Sequence, residues 1–387
     1  MTKPIPIMKK ALLTTLMFLA AALSALAYDF MDSDGLCYNF NSDGMTVTVT
    51  YEISTPGARH YQDLRGNITI PFKVNYNGID YYVTAIDERT FQDCYDITGM
   101  TMPSTLRSIG SYAFLDCTAM TSLIIPDNVT SIGRSAFFYC YSLTDVTIGA
   151  SVTDIGEFAF SYCSRLKNFK VKAQNTKFDS RDNCNAIIET ASNTLRFGCP
   201  GTVIPNSVTA IGNYAFYSCS GINTEVIIPP SVTEIGYSAF NNCSNMPSVT
   251  IPASVKSIGS SAFDSCYRRT SINAYPNPAE VTLGAEVFQN VKKESCVLHV
   301  RPSLFEAYSE ADQWKDFDNI IGDLPEELKG DLNGDGSVDG GDVSILLEMV
   351  LAGGVNDAQK AVADLNGDGD VDGGDVSILL EMVLSGD

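Results

Sequence analysis

The chain is poor in the residues from which most enzyme sites and nucleic-acid surfaces are built. Two histidines in 387 residues leave almost no imidazole for metal binding or proton transfer. His60 lies in a polar loop and His299 alternates with apolar neighbours in CVLHV, so neither stands in a nucleophile or zinc pattern. The G-x-S-x-G, H-E-x-x-H and Walker sequences are absent. Cations are scarce as well: 25 Lys and Arg face 46 Asp and Glu, a formal charge of -21 that excludes a basic nucleic-acid binder and disfavours anionic partners. The chain also has no room for the separate domain of several hundred residues that a glycosidase would need, and it reads as non-enzymatic. At 45% hydrophobic and 18% charged it is too apolar to be disordered, and it is long enough for two or three domains.

Residues 1–27 read as a secretory signal. Lys9 and Lys10 precede an uncharged run from Ala11 to Leu26, and Ala25-Leu26-Ala27 is a small-x-small end, so cleavage is expected after Ala27. No Cys stands at that point to take a lipid, and no later stretch is long and apolar enough to span a bilayer. The mature protein is expected to be exported, either secreted or held at the bacterial cell surface.

The string I-G-x-x-A-F-x-x-C fills the middle of the chain. Phe recurs at 91, 114, 137, 160, 216, 240 and 263, and Cys at 94, 117, 140, 163, 219, 243 and 266, with spacings of 23, 23, 23, 56, 24 and 23. A fixed period of this length means one small unit stacked on copies of itself. Between motifs the chain reads C-x-x-L-x-x-V-x-I-P-x-S-V-T, as in Cys140 to Thr153, and the alternation at Val146 and Ile148 predicts a short strand stacking in parallel with its copies. Gly110, Gly133, Gly156, Gly212, Gly236 and Gly259 follow an apolar Ile where a turn is expected to need positive φ, with Asp87 in the first copy. Ala and Phe are expected as core fillers, the rings stacking as a spine. The longer gap holds a hairpin, Ala186 to Glu189 against Leu195 to Phe197. Turns at Asp34-Gly35, Asp43-Gly44 and Asn77-Gly78 place β-hairpins at the N-terminal end, and SLFEAYSEADQWKDF, with the only Trp, Trp314, reads as an amphipathic helix capping the other.

This repeat resembles the BspA-like leucine-rich repeats of exported proteins of anaerobic bacteria, over about residues 83 to 275 with both caps. The resemblance implies a parallel-sheet solenoid of 23-residue repeats and a role in adhesion or protein recognition, including of host or matrix proteins. Thr90 replaces Ala in the first copy and Arg269 occupies the Leu slot after Cys266, which predicts an irregular last coil.

Residues 331–387 hold 11 Asp, 2 Glu and 1 Lys, so more than half of the charge imbalance sits there. DLNGDGSVDGGD from Asp331 and DLNGDGDVDGGD from Asp364 place oxygens at positions 1, 3, 5, 9 and 12 with Gly at 6, the spacing by which a twelve-residue loop wraps one hard cation. The first loop would use Asp331, Asn333, Asp335, the Ser337 carbonyl, Asp339 and Asp342. The second would use Asp364, Asn366, Asp368, the Asp370 carbonyl, Asp372 and Asp375. Gly336 and Gly369 allow the sharp turn. Two calcium ions are therefore expected. Asp at position 12 and a helix only downstream of each loop make the segment similar to a type I dockerin, a small all-α module of paired EF-hand-like loop-helix units. That resemblance implies calcium-dependent docking onto a cohesin-like module, although Gly340-Gly341 and Gly373-Gly374 stand where the family usually has a polar pair that selects the partner. VDGGDVSILLEMVL is identical at Val338–Leu351 and Val371–Leu384, and the partner surface is expected on Ser344, Leu347 and Glu348 or, after a half-turn, on Ser377, Leu380 and Glu381.

The expected order is thus signal peptide 1–27, β cap 28–82, solenoid 83–275, C-terminal cap 276–322, linker 323–330 and dockerin 331–387. The periodic cysteines are expected to be buried free thiols, Cys184 and Cys199 being the pair that could be cross-linked. Two functions remain: a recognition protein whose repeats bind a partner while the dockerin tethers it, or a purely structural component of an extracellular, polysaccharide-degrading complex whose repeats bind nothing.

Overall fold

The computed structural model describes residues 28–51, 61, 64–326, 329–332, 337–353, 355, 360 and 362–385. The expected signal segment and His60 lie outside them. The chain is a parallel β-solenoid followed by a small helical region. It divides into two compact units, Met1–Leu143 with Gly149–Phe160, and Thr144–Ile148 with Ser161–Asp387.

The first unit starts with hairpins, as its turns require. Phe30–Met31 pairs antiparallel with Cys37–Phe40, and that strand with Thr46–Thr50. Thr46–Thr50 then lies parallel to Ile79–Ile86, which also pairs antiparallel with Lys73–Tyr76 across Asn77-Gly78. From here the strands stack in parallel at the repeat period, with Ile86, Ile109, Ile132 and Ile155 in register. Inside, Phe91, Phe114 and Phe137 stack at ring-centroid distances of 5.1 Å, and Phe137 on Phe160 at 5.5 Å, nearly coplanar in orientation. Each such pair contributes about 0.5–1.5 kcal/mol beyond its area burial.

The second unit repeats this construction around an interruption. Asp145–Ile148 lies parallel to Asn168–Val171. The chain then turns through Phe178–Asp179, Ile187–Glu189 and Thr194–Phe197, all antiparallel, so the hairpin expected in the long gap is present. Parallel stacking resumes from Thr194–Phe197 and ends at Thr282–Leu283. A second sheet runs from Val226–Ile227 to Asn319–Gly322, beyond the expected solenoid limit. Its spine of Phe216, Phe240, Phe263 and Phe288 ends on Trp314, 4.7 Å from Phe288, and on Phe317. The terminal helix α1 covers only Phe305–Glu310. The longer helix expected from the sequence stops at Ala311, whose backbone turns extended at φ -72° and ψ 138°, and Gln313 then takes a left-handed φ of 64° just before Trp314 packs on the spine.

Three details differ from expectation or explain it. The repeat glycines do not have positive φ. They are required because a Cβ would strike the preceding coil: 2.4 Å from the Ser111 nitrogen at Gly133 and 2.5 Å from the Tyr237 nitrogen at Gly259. Positive φ falls instead on two non-glycine residues per coil, for example Tyr112 and Asp116, or Ser238 and Asn242. Asp87 is tolerated because the element before it is the strand Thr46–Thr50 rather than a repeat turn, and its N–H donates to Val49 O. The Cys slot also has a reason. The thiols of Cys117, Cys140, Cys243 and Cys266 donate to the Phe carbonyl one coil earlier, at 3.1–3.3 Å, a second bond to a carbonyl that already accepts from the N–H of the Cys three residues after it. All eleven cysteines are free thiols, Cys184 and Cys199 included, whose sulfurs bond separately to Ala186 O and Asn185 O. Finally, the coil at Arg269 is regular: Ser271–Ala274 keeps its register while the guanidinium lies buried, 4.6 Å from the Phe263 ring.

Candidate functional site

The acidic tail folds into two helices, each started by its own loop. Helix α2 spans Gly340–Ala352, with Asp339 as N-cap accepting from Gly341 N at 2.7 Å. Asp342 answers by accepting from Asp339 N at 2.8 Å, a reciprocal capping box, while its other oxygen accepts from Leu332 N. Helix α3 spans Gly373–Ser385 and repeats the arrangement: Asp372 accepts from Gly374 N, and Asp375 from Asp372 N at 2.9 Å. Asp342 and Asp375 are fully buried. The helices share a core of Leu332, Leu346, Met349, Val362, Ala363 and Leu379.

Of the twelve loop residues expected from the sequence, Asn333 and Asp335 lie outside the described residues, as does Gly336. The second loop is described throughout. Asp364 accepts from Gly367 N and Gly369 N, Asn366 from Asp368 N, and Asp368 from Asp370 N. The Asp370 N–H and the Asn366 amide hold the Asp368 carboxyl below its ordinary range. Gly369 takes the left-handed conformation expected at position 6, φ 90°. With its carboxylates turned onto loop N–H groups, this structure gathers no three His, Cys, Asp or Glu side chains at metal-binding distance among the described residues.

The donor set nonetheless fits a hard cation. Every side-chain donor is an oxygen, with no thiol or imidazole among them. Asp375 is the sharper test. It is fully buried, its three donors are the neutral N–H groups of Leu365, Asn366 and Asp372, and no basic side chain pairs with it among the described residues. The N–H groups and the start of the helix offset part of the cost of burying that charge, and a bound cation would offset the rest.

The two helices present matching surfaces. Leu347 and Leu380 are 43% and 42% exposed, and Ser344, Glu348, Ser377 and Glu381 are exposed beside them. The serine hydroxyls are tied back to Gly340 O and Gly373 O, which leaves the leucines and glutamates as the free chemistry of each stripe. Leu351 and Leu384, 82% and 84% exposed, extend the stripes and were missed from the sequence. Their spacing, seven residues after Ser344 and Ser377, was the available signal. At the helix starts a side chain on Gly340 or Gly373 would meet nothing within 4 Å, so the surface there is bare.

The family model described as BspA type leucine rich repeat region (6 copies) matches residues 82–192 and 199–308, more than half of the chain. The chain belongs to this BspA-type leucine-rich-repeat family. Residues 329–384 match the type I dockerin domain. Both are non-catalytic modules, and dockerins of this type bind calcium. Among solved structures, the BspA-type chain is similar to a leucine-rich repeat protein from Bacteroides capillosus, at 30% identity over 36% of this chain and 94% of that one, TM-score 0.30. It is also similar to one from Eubacterium ventriosum, at 19% identity over 69% and 77%, TM-score 0.44. The pneumococcal vaccine antigen PcpA is similar at 14% identity over 76% and 98%, TM-score 0.45. The assignment rests on the family models, to which similarities at these TM-scores add nothing. Among curated proteins the chain has no match.

Proposed function

We propose that this is an exported, non-enzymatic recognition protein in which the solenoid binds a protein partner and the dockerin, ordered by two calcium ions, tethers it to a cohesin-like module of a larger extracellular assembly. Asp331, Asn333, Asp335, the Ser337 carbonyl, Asp339 and Asp342 would hold one ion, and Asp364, Asn366, Asp368, the Asp370 carbonyl, Asp372 and Asp375 the other. Bound calcium supplies positive charge to carboxylates that otherwise repel. The chain's own contribution is the capping geometry at Asp339 with Asp342 and at Asp372 with Asp375, which joins each loop to the start of its helix. Ser344, Leu347 and Glu348, or Ser377, Leu380 and Glu381, would then meet the partner.

One observation carries the reading: a repeat solenoid and a loop-helix pair with duplicated, equally exposed stripes stand on one chain. No described helix is long and apolar enough to cross a membrane. Two measurements test it. Hydrogen exchange on the full chain should show α2 and α3 protected in calcium and unprotected in chelator; equal protection in both refutes the calcium role. Binding to an array of purified matrix and surface proteins, with and without the tail, should reveal a partner held by the solenoid; a blank array leaves only the structural-component role.

A further inference from the structure

Along one edge of the second unit, tyrosines gather where the fold makes them costly. Tyr162 and Tyr214 sit in the left-handed conformation, at φ 62° and 59°. Bulky residues are uncommon there: the slot of Tyr162 carries Asn242 and Asn290, which accept the conformation more cheaply, and Tyr139, while the slot of Tyr214 carries Ser135, Ser238 and Ser261 in some coils and Tyr112 and Phe158 in others. Strain of this kind, retained at half-buried surface positions, points to use as well as to folding.

The interruption of the repeat brings the rings together. The residues between Cys163 and Gly212 form strands and a hairpin without a copy of the turn motif, so Tyr162 abuts Tyr217 at 6.2 Å, and its hydroxyl accepts from Asn242 Nδ2 at 3.3 Å. Tyr217 meets Tyr214 at 5.9 Å and Tyr214 meets Tyr237 at 5.3 Å, all edge to face. Tyr237 is 45% exposed and the other three are half-buried. Asp264 stands next to this row. Its carboxylate accepts from Asn241, Ser265 and Asn290, all neutral, so its charge has no ion pair among the described residues. Asn242 joins Asp264 to the row: its N–H donates to Asp264 O at 2.9 Å and its Nδ2 to the Tyr162 hydroxyl, and burial raises the Tyr217 phenol, with Tyr162, Tyr214 and Asp264 adding to the effect.

The chain itself shows what such rings accept. In the first unit, Tyr112 and Phe158 occupy the slot that Tyr214 occupies here, and a guanidinium lies over each: Arg89 at 4.3 Å and Arg134 at 5.1 Å from the ring centres. With a formal charge of -21, the chain attracts basic partners over longer range as well.

We propose that the edge formed by Tyr162, Tyr214, Tyr217 and Tyr237, with Asp264 beside it, is the docking surface for a basic polypeptide segment whose guanidinium and ammonium groups lie against the rings. This rests on the solenoid being the recognition module and names the chemistry of its partner. Tyrosine is favoured in such surfaces because it offers a large, rigid, amphipathic area at little entropic cost.

The test uses the full chain in calcium and labelled peptides of alternating Arg-Gly, Lys-Gly and Glu-Gly, with cellohexaose as a neutral carbohydrate probe. The Arg-Gly peptide should bind, more weakly as salt rises, and the Glu-Gly peptide should not. The double variant Tyr214→Asn with Tyr237→Ser should weaken Arg-Gly binding by about ten-fold or more while its melting temperature falls little, because Asn accepts the left-handed conformation more readily than Tyr and offsets part of the lost ring contacts. Asp264→Asn should weaken it several-fold. Tyr214→Phe, which keeps the ring, and Tyr82→Ser, a comparably exposed tyrosine of the other unit, should bind as the parent does. Equal binding by parent and double variant would mean that net charge alone attracts the peptide, and would overturn the proposal. So would a parent that ignores the Arg-Gly peptide, or cellohexaose binding that the double variant loses, which would make the edge a carbohydrate platform. If the double variant is destabilised, Tyr214→Phe against Asp264→Asn decides. A partner found on the protein array and bound equally by the double variant would sink this edge and leave solenoid recognition standing.

Discussion

Gly259→Ala tests why the repeat contains glycine. An added Cβ would lie 2.5 Å from the Tyr237 nitrogen, 2.6 Å from the Gly236 carbonyl carbon and 2.8 Å from the Tyr237 Cα, all backbone atoms that no rotamer change can move. Ordinary contact begins at 3.4 Å, so the coil must retreat by about 1 Å. That retreat strains the bond from Gly259 N to Ile235 O, now 2.7 Å. Overpacking costs about 1–3 kcal/mol and the weakened hydrogen bond about 1 kcal/mol, against a gain of about 0.5 kcal/mol from a stiffer unfolded chain. A loss of about 3 kcal/mol is expected. Trp314, the only tryptophan, is buried at the end of the same spine, so its fluorescence during guanidinium denaturation reports this unit. Gly259→Asn separates two explanations. If glycine served a left-handed φ, Asn would be tolerated better than Ala; if it serves close approach, Asn must be at least as harmful. A milder effect for Asn, or a loss below about 1 kcal/mol for Ala, would refute the close-approach account.

Four further outcomes follow from the same packing. Burial raises the Cys117 and Cys243 thiols well above their ordinary value, so these cysteines should resist iodoacetamide in native buffer and react on unfolding, with the half-buried Cys219 labelled before them; disulfides in the intact mass, or rapid native labelling of Cys117 and Cys243, would contradict this. Burial opposes ionisation of Asp179, but its hydrogen bonds and ion pair with Arg181 outweigh it and hold the carboxyl below the ordinary range. The stability it contributes is present above the usual Asp pKa and lost as pH falls through the lowered folded value, so melting curves between about pH 6 and about pH 2 should show a pH-dependent component in the parent that Asp179→Asn lacks. Replacing Leu347 and Glu348 by Ala should leave binding to a cohesin-type module largely intact, because the second stripe remains. Adding Leu380→Ala and Glu381→Ala should abolish it, and loss in the first variant with calcium affinity unchanged would show a single binding orientation. Removing the ring of Phe240 (Phe240→Ala) opens the spine between Phe216 and Phe263 and should cost about 3–5 kcal/mol by the Trp314 readout.

Much of the fold was legible because a solenoid is written locally. Each coil meets only its neighbours, so the 23-residue spacing of Phe and Cys already implies a stack, and alternation at Val146 and Ile148 already implies which side chains point inward. The acidic loops were legible for the same reason: twelve consecutive residues contain the whole donor set, and identical helices follow each of them.

What sequence could not determine lies between coils. The glycine role was read as backbone conformation because a close approach to Tyr237 or Ser111 involves atoms one coil away, and the thiol bonds to Phe carbonyls are invisible for the same reason. The capping helix was read too long because the pull of the spine on Trp314 has no local signature. Tyr162 and Tyr217 belong to turns separated by the irregular insertion, and only the folding of that insertion sets them side by side. Periodicity along the chain determined the coil, the loops and the helices. The spacing of stacked backbones decided which atoms touch across coils, because it is set by inter-strand hydrogen bonds and side-chain volume together rather than by any short stretch of sequence.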